Sequence, residues 1–316
     1  MKKILAILLA LTVLSCKSGK TPKNEPEAIT SELLRETVSY LASDDLQGRD
    51  TGSAGIVKAA NFLETTLKQY GIKPYFNTYQ DHYAIDEIET YNIVAAIEGT
   101  DPKLKNEWVV LGAHFDHIGF GKKVGNDSIA NGANDNASGT AAVLALAQYF
   151  AQVKNNKRSI LISFFSGEEK GLKGSKHLAE RLKTKNMDVY TVLNFEMIGV
   201  PFTGRDYIAF VTGFERSNFS EKINAYTNSK LTGFSEVSKK HNLFKFSDNY
   251  PFYTVFKIPS HTISTCDLSN YNFYHHVGDE ADKMDYVHMA SVVNKIIPAI
   301  QKICNTPEKE IQMYHE

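Results

Sequence analysis

The chain has 316 residues, with 35 Lys and Arg against 36 Asp and Glu, a formal charge of −1, 42% hydrophobic residues and 3 Cys. That length allows one large domain or two ordinary ones, with enough apolar residue to build a core. The balanced charge excludes a nucleic-acid binder that works by neutralising phosphates, three Cys exclude a disulfide-dense scaffold, and the apolar content excludes a mostly disordered chain.

Lys2 and Lys3 precede an apolar run from Ile4 to Leu14. As a helix that run rises about 16 Å, too short for a hydrocarbon core of about 30 Å. A basic start and a short apolar stretch predict a secretory leader over residues 1–15. It ends Val13-Leu14-Ser15-Cys16, which resembles the lipobox of bacterial lipoproteins and implies a lipidated Cys16 as the mature N-terminus. Residues 16–29 are then the lipidated Cys and a flexible tether, since Lys17 to Glu27 carries no large apolar residue. The expected location is the cell envelope, with membrane contact only through the anchor at Cys16. The globular domain is expected over 30–305 and a C-terminal tail over 306–316. Cys266 and Cys304 either pair or stay as buried thiols.

Thr30 or Ser31 can cap a helix that carries Leu33, Leu34, Val38 and Leu41. A loop with Gly48, Gly52 and Gly55 follows, then a helix with Ile56, Ala60, Leu63 and Leu67 on one face, stopped at Gly71. Strands are expected around 74–84 and 91–98. The pattern then alternates: strand Trp108 to Ala113, helix Ser138 to Ala151, strand Ser159 to Phe165, helix Lys173 to Leu182, strand Tyr190 to Phe195, strand Tyr207 to Thr212, helix Ser217 to Asn228, strand His261 to Ser264, and a closing helix Tyr286 to Cys304. Such alternation predicts an α/β fold, a three-layer α/β/α single domain with a mostly parallel mixed central sheet.

In open α/β sheets ligands bind beyond the carboxyl ends of the strands. Three apolar strands here end in residues able to hold a metal: WVVLGA runs into His114 and Asp116, ILISFFSG into Glu168 and Glu169, and TVLNF into Glu196. Asp135 lies in the Gly-rich turn GANDNASG before a helix, and His275 follows the last strand. Singly each has a bland reading: a strand-end histidine, a solvated carboxylate pair, a turn Asp. Together, two His and three carboxylates at one sheet edge point to catalytic zinc, because imidazole with carboxylate and no thiolate leaves coordination positions open. Five ligands exceed what one tetrahedral ion can use if it keeps a water, and suit two Zn²⁺ bridged by a carboxylate. Glu168 is then left over as a base, and Asp116 can hold the His114 imidazole in its ligating tautomer.

GAHFDHIG, NGANDNASGTAAVLALA, FFSGEEKGLKGS, LNFEMIG and FYHHVGDEADK, in that order, resemble the co-catalytic di-zinc exopeptidases of the bacterial leucyl aminopeptidase type. Glutamate carboxypeptidase II and the glutaminyl cyclases are more distant relatives of that group. The resemblance covers about residues 30 to 300. It implies that His114 and Glu196 hold one zinc, Glu169 and His275 the other, and that Asp135 bridges them. It also makes Glu168 the general base and acid, Asp116 the partner of His114, and Tyr274 an oxyanion donor. The chain departs from the pattern twice. Glu196 stands where the family most often has Asp, and His275-His276-Val277 replaces His-Thr-Pro, so that His276 competes with His275 for the ligand role. His117 and His288 are read as structural, and Ser247-Asp248-Asn249 resembles a segment near the substrate pocket.

The function so implied is zinc-dependent hydrolysis of N-terminal residues from peptide substrates, through a bridging water activated by two zinc ions and Glu168. A carboxypeptidase or dipeptidase could use the same metal core. A glutaminyl cyclase and a catalytically inert lipid-anchored binding protein are the remaining alternatives. No nucleic-acid partner is expected.

Overall fold

A computed structural model of the protein describes residues 27–314. The leader, the Cys16 anchor and most of the tether lie outside the described residues. The elements in chain order are α1 (Ser31–Leu41), α2 (Ala54–Gln69), β1 (Lys73–Pro74), β2 (Gln80–Ile85), β3 (Ile88–Ile97), β4 (Glu107–His114), β5 (Phe120–Val124), β6 (Asp127–Ile129), α3 (Gly139–Val153), β7 (Ser159–Phe165), α4 (Lys173–Thr184), β8 (Asp188–Phe195), β9 (Ala209–Val211), α5 (Phe219–Thr227), β10 (Thr232–Gly233), α6 (Glu236–Lys240), α7 (Asn249–Phe256), β11 (Ser260–Ser264) and α8 (Tyr286–Asn305).

One nine-stranded sheet runs β1-β3-β7-β4-β8-β11-β9-β10, with β2 also paired to β3. The four central strands β7, β4, β8 and β11 are parallel. Toward the margins β3 on β7, β1 and β2 on β3, and β9 on β11 are antiparallel, while the short edge strand β10 is parallel to β9. Parallel pairs occur where a helix crosses over between the strands, as in the centre and between β9 and β10.

The central strands read as unbroken apolar runs because both of their faces are covered. Along β4, Val109, Leu111 and Ala113 join one core layer and Val110 the other; along β7, Ile160, Ile162 and Phe164 oppose Leu161 and Phe165. The first layer is closed by α1, α2, α3 and α8, through residues such as Leu34, Leu63, Leu146 and Ile300. The second is closed by α4 and α7, through Leu178, Leu182 and Phe252. Side-chain alternation across a strand thus specifies helices on both sides of the sheet.

Thr30 rather than Ser31 caps α1, its hydroxyl accepting the Leu33 amide at 3.2 Å. The strand expected over 74–84 is interrupted, and only 73–74 and 80–85 are paired. The β5–β6 hairpin, α6 and α7 were not anticipated. Cys266 and Cys304 are both free thiols, buried in the first core layer. Among the described residues no helix is long and apolar enough to cross a membrane.

Candidate metal centre

Because β4, β7 and β8 run parallel, their carboxyl ends deliver His114, the turn after Phe165 with Glu168 and Glu169, and Glu196 to one edge of the sheet. Asp135 comes from the irregular turn before α3, and His275 from the loop after β11. Three buried charged groups tie these segments together. The Arg49 guanidinium, fully buried, donates to the carbonyls of Leu41, Phe115, Asn131 and Gly132. Burial lowers its pKa to about 10, against the opposing pull of Asp279, Asp135 and Asp116, so it stays charged near neutrality. Asp116 accepts the Thr51 hydroxyl at 3.0 Å and the amides of Glu168 and Glu169 at 3.2 and 3.4 Å. Asp279 does the same for the turn before α3, accepting the amides of Asn134 and Asp135.

The donor atoms form two groups that share Asp135. His114 Nε2 lies 3.4 Å from Asp135 Oδ1, and His114, Glu168 and Glu196 bring ligand atoms within 4.8 Å of one another. On the other side His275 Nε2 lies 3.0 Å from Glu169 Oε2 and 3.4 Å from Asp135 Oδ2. His117 Nδ1 stands 2.9 Å from Glu169 Oε1 and 3.8 Å from Asp135 Oδ2. His276 turns away, its Nδ1 accepting the Gly278 amide at 2.8 Å. The Tyr274 ring stacks on the His275 imidazole with centroids 3.9 Å apart.

The relation of Asp116 to His114 differs in detail from expectation. Its carboxylate is 3.7 Å from His114 Nδ1, while its backbone carbonyl is at 3.2 Å and takes that proton. The carboxylate is committed to the Glu168–Glu169 turn instead. Either way Nδ1 is engaged by Asp116 and Nε2 faces the centre.

The electrostatics are those of crowded carboxylates. Burial pushes Glu168 well above the usual range, and Glu196, Asp248 and Glu169 add to the push. Burial likewise raises Glu196 to about 7, with Asp135 and Asp248 contributing. Glu169 is lowered despite burial and Asp135, because His117 and His275 both reach it. Burial would lower His114, yet Glu168 and Asp135 draw it well above the ordinary imidazole value. Such a cluster calls for cations at its middle.

Zinc fits the residues present. His114 Nε2 and Asp135 Oδ2 are buried without hydrogen-bond partners, both facing the centre. An imidazole lone pair 3.4 Å from a carboxylate oxygen is a repulsive contact unless a proton or a metal ion lies between. Nitrogen and oxygen donors without thiolate are the set expected of a catalytic zinc.

The segment Ser247-Asp248-Asn249 does lie at the centre, in roles the sequence did not assign. Ser247 donates its hydroxyl to Glu196 Oε2 and is itself held by Asn194 and Thr262. Asp248 is fully buried, and burial with Asp116 and Glu169 raises it to about 7 against the pull of His114. The LQGRD loop gave no sign that Arg49 would be swallowed whole, since Arg is rarely interior. Beside Glu196 and Tyr274 opens a small recess of about 50 Å³, lined by Phe210, Leu243, Phe246, Cys266 and Leu268. No Lys or Arg is among the described residues lining it.

The model of peptidase family M28 matches residues 92–300. A probable zinc metalloprotease of Pyrenophora tritici-repentis is 34% identical over 177 residues, covering 52% of this chain and 40% of its own length. The leupeptin-inactivating enzyme 1 of Streptomyces exfoliatus is 30% identical over 190 residues, covering 59% of this chain and 39% of its own. The chain thus spans about two fifths of the length of the curated relatives it matches. Among solved structures, the zinc aminopeptidase BSAP of Bacillus subtilis superposes with a TM-score of 0.70 at 14% identity, over 92% of this chain and 100% of that one. These likenesses in structure speak for the fold.

Proposed function

The chain belongs to peptidase family M28, and on that premise we propose that it is a zinc-dependent aminopeptidase holding two zinc ions per chain. One observation carries the reading: two donor groups share Asp135, with His114 and Glu196 on one side and Glu169 and His275 on the other, and a raised carboxyl, Glu168, beside them. Zinc there would polarise the scissile carbonyl and lower the pKa of water towards neutrality.

The chain's own residues do the rest. Glu168 takes the proton of the attacking water and passes it to the leaving amine; burial raises its pKa well above the usual carboxylate range, which makes it a stronger base than an exposed Glu. Tyr274, its phenol pushed up by burial and by Asp135 and Glu169, stays protonated and donates to the developing oxyanion. Asp116 fixes the backbone that carries Glu168 and Glu169, and Ser247 orients Glu196.

The choice of an aminopeptidase over a carboxypeptidase rests on charge. The recess offers an apolar wall to one substrate side chain, and no Lys or Arg among its described residues could grip a free carboxylate. The proposed setting is the cell envelope, at the outer membrane on its periplasmic side or its surface, with residues 1–15 as leader and Cys16 as lipid anchor.

The test is a panel of aminoacyl-nitroanilides, N-blocked peptides and peptides beginning with Gln, assayed with and without a chelator and zinc add-back. Cleavage of free-amine substrates only, lost on chelation and restored by zinc, is expected. Cleavage of blocked peptides only would refute the reading, and ammonia release from Gln-initiated peptides would replace it with a cyclase.

A further inference from the structure

We propose that His117 is a metal ligand in its own right, the fourth protein donor of the position held by Glu169, His275 and Asp135. This rests on the di-zinc reading above and goes beyond it, because it makes the two positions unequal.

Four observations converge. First, His117, Asp135 and Glu169 bring ligand atoms within 4.8 Å of one another, and His275 reaches the same two carboxylates. His117 Nδ1 and His275 Nε2 each contact Glu169, at 2.9 Å to Oε1 and 3.0 Å to Oε2, and each face Asp135 Oδ2, at 3.8 and 3.4 Å. Zinc bonds of about 2.0–2.2 Å place tetrahedral neighbours roughly 3.3 Å apart, which these separations bracket. Second, Asp135 Oδ2 is buried with no hydrogen-bond partner, aimed into the space between the two imidazoles. Third, the two rings are set edge to face, centroids 5.7 Å apart, so that distinct nitrogens converge without stacking.

The fourth observation is that His117 is only half satisfied by the protein. It is fully buried, its Nε2 has no partner, and its one side-chain hydrogen bond is to Glu169. A ring kept for packing alone would be apolar, because an unmet buried nitrogen costs about 1–3 kcal/mol. Its placement is also enforced. Its amide donates to the carbonyl of Arg49, and its ring lies against Gly132, where a Cβ would come within 2.6 Å of it. Gly132 at φ 61° is therefore required twice, for its left-handed backbone and for room beside the imidazole.

The consequence is a division of labour. Four protein donors close a zinc position, as in structural sites, whereas His114, Glu196 and Asp135 make a three-donor position with coordination left open.

The experiment uses the full chain and zinc. Wild type, His117→Phe, His117→Asn and, as control, His275→Ala are compared by zinc stoichiometry, by competitive zinc titration and by X-ray absorption at the zinc edge, with circular dichroism to check folding. His117→Phe keeps the ring packing and removes both nitrogens. His117→Asn keeps a donor to Glu169 but no imidazole. The expected result is loss of one imidazole from the zinc shell in both variants, with the weakened ion bound at least about 10-fold less tightly. If wild type binds two ions and both variants keep the wild-type imidazole count, His117 only positions Glu169 and the inference fails alone. If wild type binds fewer than two ions, the di-zinc reading fails and takes the inference with it.

Discussion

Asp279 and Asp135 are 144 residues apart in sequence, yet the Asp279 carboxylate accepts the backbone amide of Asp135 at 2.9 Å and that of Asn134 at 2.8 Å. Asp135 is the one carboxylate whose two oxygens face both donor groups. Its aim is therefore set from outside its own turn, by a residue four positions beyond His275. The loop that brings His275 also fixes the turn that brings Asp135.

Replacement of Asp279 by Ala should lower both stability and zinc content. Two amide N–H groups, both buried, lose their acceptor at about 1–3 kcal/mol each, and the Tyr271 hydroxyl loses its partner as well. Urea unfolding of the metal-free protein reads the first effect, and zinc per chain after gel filtration the second. Unchanged zinc content in a destabilised variant would show that Asp135 holds its position unaided.

The fold was legible where the period of apolar residues is unambiguous. The parallel core strands and α3 stand within two residues of expectation because a strand covered on both faces reads as one apolar run. The region 249–256 was missed because NYPFYTVF is aromatic and β-branched and carries a Pro, the marks of a strand or a breaker. Pro251 is tolerated in α7 because it lies in the first turn, where its missing N–H has no intrahelical partner to lose. At the site, residues at strand ends were readable from topology. His117 was not, because its contact with Glu169 is made across two loops 52 residues apart. Nor was Arg49, and Ser247 was placed near the pocket without its role, because both act through hydrogen bonds to groups distant in sequence.

Glu168→Gln should cut kcat by about 10²–10⁴-fold, the usual worth of a positioned general base. Zinc content should stay at the wild-type level, since His114, Asp135, Glu169, Glu196 and His275 remain. The variant keeps size and hydrogen bonding while removing the proton acceptor. Steady-state kinetics with metal analysis on one preparation decides the matter. Near-normal turnover would remove Glu168 from the mechanism, and loss of zinc would make it a ligand.

Filling the recess beside Glu196 should alter selectivity more than chemistry. Cys266 forms part of its wall together with Phe210 and Leu268. Cys266→Phe places a ring where the substrate side chain is proposed to sit. The ratio of kcat/KM for leucyl over alanyl nitroanilide should fall by about 10-fold or more. Taking the ratio cancels any general loss of folded enzyme from overpacking. An unchanged ratio would show that the substrate side chain goes elsewhere.

Acid should destabilise the protein through His261, well away from the donor cluster. His261 is buried, donates from Nδ1 to the Thr212 carbonyl at 2.8 Å and accepts the Ser217 hydroxyl at Nε2. Burial lowers its pKa to about 4, and Arg216 pushes the same way. The unfolded chain binds a proton at about 6.5, so it gains protons first as pH falls. The stability held by neutral His261 is full above about 6.5 and is lost as pH drops towards 4, by about 2 kcal/mol between pH 7 and pH 5. The raised carboxyls Asp116, Glu196 and Asp248 act with the opposite sign. The readout must therefore be the difference between wild type and His261→Asn, whose amide can still donate to Thr212. Urea unfolding at both pH values should show that difference shrinking at pH 5. A pH-independent difference would mean that His261 does not titrate as described.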